Sequence, residues 1–157
     1  MQNKFWLSVI FGGWMTVAGA SSVLEMKRGL APATDWLSVK EMHVYDSWVG
    51  EPPYLSVNRE IKRPFYGEWL ATVRRASDGT LAFACIAEGR ASYATDARLP
   101  LDMTLDWWTF PTKCRLEPGR YRLDTEWRIS PPDHPQKQLR VQSNIFEVHP
   151  HWRDYRP

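Results

Sequence analysis

Tyr121-Arg122-Leu123-Asp124-Thr125-Glu126-Trp127-Arg128-Ile129 alternates without a break. Tyr121, Leu123, Thr125, Trp127 and Ile129 fall on one side of an extended chain; Arg122, Asp124, Glu126 and Arg128 fall on the other. Successive side chains of a strand point to opposite faces, so the stretch predicts a half-buried antiparallel strand, one face on a core and one in water. A helix, with about 3.6 residues per turn, would mix the two sets. Pro131-Pro132-Asp133 ends the strand, because proline brings no N–H to a ladder.

The same grammar runs through the flanking sequence. Residues 36–45 read as a first strand, broken after Gly50-Glu51-Pro52-Pro53. Residues 54–61 follow, with Leu55, Val57 and Ile61 in phase. After Pro64, residues 65–75 set Trp69, Ala71 and Val73 against Thr72 and Arg74. Ser77-Asp78-Gly79-Thr80 is a hairpin turn. Residues 81–87 place Leu81, Phe83, Cys85 and Ala87 on one face, residues 103–110 read as another strand, and residues 139–148 as the last. Short strands at this spacing, with no convincing soluble helix among them, predict an all-β antiparallel sandwich over residues 36–149. Residues 25–35 read as a linker and residues 150–157 as a frayed tail.

Leu116-Glu117-Pro118-Gly119-Arg120-Tyr121 resembles the tyrosine corner of immunoglobulin and fibronectin type III domains. The resemblance covers roughly residues 36–148. It implies an immunoglobulin-like sandwich in which the Tyr121 hydroxyl bonds backwards to the main chain. Leu123 stands where an antibody domain has its second cysteine, so the likeness is to the sandwich class and not to antibody domains. The segments IKRPFYGEW (61–69), LDWWTFP (105–111) and CRLEPGRYRLDTEWRI (114–129) resemble small single-pass proteins encoded by bacterial phages and prophages. That resemblance implies an envelope or phage-associated accessory role and supplies no active site.

Residues 5–24, FWLSVIFGGWMTVAGASSVL, carry no charge. A stretch of about 20 apolar residues can cross a bilayer as a helix. Two main readings compete for residues 1–24. One is an uncleaved anchor. The other is a signal peptide with Lys4 in its charged region and Ala18-Gly19-Ala20 at the cleavage site. A buried core helix is a third reading, disfavoured because no polar stripe marks a solvent face. Lys27 and Arg28 stand against Lys4 and the N-terminal amine, so charge alone does not orient the segment. The expected location is a membrane-anchored periplasmic domain, or a periplasmic or secreted one after cleavage.

The chain has 157 residues, room for one ordinary domain beside such a segment. Its formal net charge of +2 gives no electrostatic footprint for nucleic acid. Cys85 and Cys114 are too few for a disulfide-dense scaffold or a four-thiolate zinc site, and too far apart for a CxxC redox motif. In an exported domain they are expected to form one disulfide, which would close a loop of about 30 residues and stabilise the fold by about 3.6 kcal/mol. The alternative is two free thiols.

Trp107-Trp108-Thr109-Phe110 is the most unusual aromatic stretch. With Met103, Leu105 and Trp107 in phase, Trp108 and Phe110 face outward and are candidates for binding a protein or a sugar ring. The plainer reading packs Trp108 against residues 131–135. Trp36, Trp48 and Trp152 could sit at a membrane interface. Arg59, Lys62, Arg63, Arg74 and Arg75 form a basic run, read mainly as a solvated sheet face. His134, His149, His151 and Asp154 make a poor metal site, because Pro150 holds the tail extended. The sequence holds no GxSxG, HExxH, Walker or GxGxxG motif.

The expectation is therefore a non-enzymatic binding module of an envelope or phage assembly, without cofactor or metal. It would touch the membrane through residues 5–24 and an envelope protein, or a glycan, through its domain. A structural assembly component is the alternative, and a hydrolase a distant third.

Overall fold

The structure, a computed structural model, describes residues 29–77, 80–105 and 115–151, with residues 77 and 80–84 described by their backbone alone. The fold is all-β. The strands are β1 (Leu37–Val44), β2 (Ser47–Trp48), β3 (Tyr54–Ile61), β4 (Phe65–Ser77), β5 (Thr80–Tyr93), β6 (Asp102–Thr104), β7 (Gly119–Ser130) and β8 (Lys137–His149). They form a three-stranded sheet, β1-β3-β6, and a five-stranded sheet, β2-β8-β7-β4-β5. All neighbours are antiparallel except β2, which runs parallel to the end of β8.

The alternation in β7 does what its pattern demands. Tyr121, Leu123, Thr125, Trp127 and Ile129 are all buried, while the residues between them are partly or fully exposed. The main core lies between the sheets. Met42, Val44, Leu55, Val57 and Met103 come from the small sheet; Ala71, Val73, Cys85, Ala87, Tyr121, Leu123, Phe146 and Val148 come from the large one. A second cluster at one end gathers Trp36, Leu37, Ile61, Phe65, Trp127 and Ile129.

At one side the Asn144 side chain ties the two sheets together. β8 carries an extra residue where Arg122 pairs with Ile145 but Asp124 pairs with Gln142. The ladder is interrupted there, and the Ser143 hydroxyl accepts the Leu123 N–H at 3.0 Å. Asn144 is freed to reach β1. Its Oδ1 accepts the Val44 N–H at 2.8 Å, and its Nδ2 donates to the Val44 carbonyl at 2.9 Å. The amide thus takes the place of a neighbouring strand on the side of Val44 that faces away from β3. Asp46 adds a bond from the Glu147 N–H at 2.7 Å.

Three expectations need correction. The linker expected over residues 25–35 is docked in its second half: residues 33–35 form a 3-10 turn, Ala33 is buried, and the Lys137 ammonium donates to the Gly29 carbonyl at 2.6 Å. Trp36, proposed for a membrane interface, is 2% exposed, with His134 against its ring. The strand expected to stop at Ala87 continues through Glu88-Gly89-Arg90 to Tyr93. Gly89 makes room for packing. A Cβ there would lie 2.4 Å from Cζ2 of the Trp69 indole, which covers it from β4. The strand expected over residues 103–110 is seen as β6, and its remainder from 106 lies outside the described residues.

Among the described residues no helix is long and apolar enough to cross a membrane. Residues 5–24 lie outside them.

Candidate binding face

Tyr121 is the third residue of β7, just past the turn at Pro118-Gly119. Gly119 has φ +156°, and a Cβ there would press within 3.1 Å of the Arg75 guanidinium. With the chain turned this way, the Tyr121 hydroxyl donates to the Glu117 carbonyl at 2.9 Å. Arg75 lies over the same ring, 6.0 Å from its centroid, and donates to the Pro118 carbonyl at 2.8 Å. Burial raises the Tyr121 phenol above its ordinary pKa, while Arg75 opposes the rise. The hydroxyl therefore stays protonated and ties the turn to the core. Tyr121→Phe should lower stability by about 1 kcal/mol, read as a urea midpoint shift at unchanged m-value. An unchanged midpoint would show the bond to be worthless.

The basic run near β4 does not form one patch. Arg59 is in phase with Leu55, Val57 and Ile61 and points inward, toward Tyr93. Burial lowers its pKa, and the same desolvation raises that of Tyr93, each partly offset by the other. Arg63 stacks on Trp36 at 5.7 Å. Arg74 bonds Asp124 at 3.2 Å, and Arg75 faces the Glu117 turn. The strand pleat and local turns send adjacent arginines to different places.

The other expected site residues divide. Cys85 is buried on the inner face of β5, opposite Val73. Cys114, Trp108 and Phe110 lie outside the described residues. His134 packs on Trp36, whereas His149 lies beside Trp48 and 3.7 Å from Glu147.

What the structure adds is the outer face of the large sheet. A concavity of about 590 Å³ lies over β5, β4 and β7, lined by Glu68, Leu70, Glu88, Arg90, Glu126 and Arg128, with Trp69 and Gly89 at its base. The register explains the lining. Glu68 stands between Arg90 on β5 and Arg128 on β7, and Leu70 stands between Glu88 and Glu126. Directly opposite residues share a face, so six alternate positions on three strands converge. One row further along, Arg74, Asp124 and Arg122 satisfy one another at 3.2 and 2.9 Å. Glu126 is approached by Arg140 at 3.5 Å. Glu68, Glu88, Arg90 and Arg128, in contrast, close no ion pair among the described residues. The outward charges of β7 are plain in the sequence. Their convergence with β4 and β5 depends on register, which sequence alone does not supply.

No family model, curated protein or solved structure matches this chain.

Proposed function

We propose that this chain is a non-catalytic binding module of a bacterial envelope or phage-encoded assembly. In this reading an immunoglobulin-like sandwich is held outside the cytoplasm by residues 5–24 and closed by a Cys85/Cys114 disulfide. The sandwich reading is supported by the β1-β3-β6 and β8-β7-β4-β5 strand orders, by the parallel β2 segment on β8, and by the Tyr121 hydroxyl reaching back to the turn before its strand.

One observation carries the binding role: among the described residues, the acidic and basic side chains Glu68, Glu88, Arg90 and Arg128 around half-buried Leu70 close no ion pair, beside a row that is internally satisfied. Charges arranged on a rigid sheet cost little to preorganise, and a partner with complementary charges can use them for orientation and rate. The lining offers both signs around one aliphatic side chain, which suits a protein surface better than a sugar.

The test is site-specific photocrosslinking in the producing cell. A photoreactive residue at Leu70 should give one discrete protein adduct, lost when Glu68 and Arg128 are exchanged for each other. The same probe at Glu41, an exposed residue of β1, should give none. Equal adducts at both positions, or none at Leu70, would refute the assignment.

A further inference from the structure

Every sheet must end somewhere, and an unpaired strand edge invites another strand unless something blocks it. Among the described residues, three of the four sheet edges are short, interrupted or covered. β6 is described over three residues. β1 is interrupted by a bulge between Val39 and Glu41, where Lys40 is displaced from the register, and its far end is occupied by Asn144. The free side of β8 is covered near its end by β2 and by the Asn144 link. β5 differs. It is 14 residues long and has no neighbour beyond it among the described residues. Its pairing with β4 is regular from Cys85 to Tyr93, without a bulge. Residues 85–93 contain no proline and no lysine, and four of the nine are small: Ala87, Gly89, Ala91 and Ser92.

The charges on this edge complement themselves. Glu88 and Arg90 are both exposed and flank Gly89 on the outer face. Two copies of β5 laid antiparallel with Gly89 opposite Gly89 would put Glu88 of each copy directly across from Arg90 of the other. The same register sets Ala87 opposite Ala91 and Ile86 opposite Ser92. Any shift by two residues would place like charges or uncharged residues opposite one another. We infer that the chain dimerises through β5, edge to edge and antiparallel, about a two-fold axis at Gly89. The two large sheets then become one continuous sheet, with a concavity on each half left open. The dimer shares Glu88 and Arg90 with the lining of the concavity: these two are paired across the new seam, and Glu68 and Arg128 are left to face a partner.

The experiment is sedimentation equilibrium of the full chain in detergent micelles. The wild type should be a concentration-dependent dimer. Glu88→Arg and Arg90→Glu should each weaken it about tenfold, because each replaces two opposite-charge cross-strand pairs by like-charge pairs. The double exchange E88R/R90E rebuilds both pairs with reversed sign and should restore the wild-type constant. An independent readout is a nitroxide at Ser92→Cys. Ser92 and its symmetry mate are six residues apart along the paired strands, about 20 Å. A wild type that stays monomeric overturns the inference. So does a dimer indifferent to both single exchanges, which would belong to residues 5–24, or a nitroxide separation beyond about 35 Å.

Discussion

Phe146→Ala should lower the unfolding free energy by about 3–5 kcal/mol, the cost of losing a fully buried aromatic and leaving a hole. Phe146 is 1% exposed. It stands opposite Tyr121 on the neighbouring strand, their rings stacked at 5.9 Å, and belongs to the core shared by both sheets. Its neighbours are strands pinned by long ladders and by the Asn144 corner, so they cannot collapse inward to refill the space. A domain with about 5–15 kcal/mol of total stability would lose a large part of it. Guanidinium unfolding of the wild type and variant measures the difference. A loss under about 1 kcal/mol would mean that the two sheets do not meet at this side chain.

The second large effect concerns the proposed bridge. Cys85 is 7% exposed and lies on the inner face of β5. If it is joined to Cys114, reduction should lower stability by about 3.6 kcal/mol, because the unfolded chain regains the freedom of a loop of about 30 residues. Denaturant midpoints with and without reductant decide this, together with alkylation mass under both conditions. Two alkyl groups taken up only after reduction, with a lower reduced midpoint, is the expected result. Identical midpoints and immediate alkylation of both thiols would remove the bridge and with it the main argument for an oxidising compartment.

Strand patterning was largely legible because one face of most strands meets water. β3 begins and ends where the spacing of Leu55, Val57 and Ile61 places it, and β7 and β8 differ from their expected limits by a residue or two. The failures have local causes. The strand expected over residues 81–87 is too short: the chain stays extended through Gly89, which lacks a side chain to pack, because the Trp69 indole covers it from across the ladder. The segment before Trp36 read as a linker because it is short and rich in small residues, yet Ala33 fits against a core built from residues far along the chain. Arg59 read as solvated because arginines usually are; its strand phase points it inward.

The candidate face was half legible. Glu126 and Arg128 stand out as the polar side of the most regular strand. Nothing local couples them to Glu68, Leu70, Glu88 and Arg90, which join them only through the β5-β4-β7 order and register.

The sequence by itself determined that this chain is all-β, where most of its strands lie, and which side of each faces the core. Period-2 alternation is a local property, fixed by the pleat and by the cost of burying charge. Only the tertiary structure decided which strands are neighbours, which edge has no neighbour among the described residues, and that Asn144 reaches across the corner between the sheets. Those depend on contacts between residues as distant as Val44 and Asn144, and on a bulge that aims a side chain out of its own ladder. Non-local pairing is set by the sum of the packing and not by any single stretch of chain.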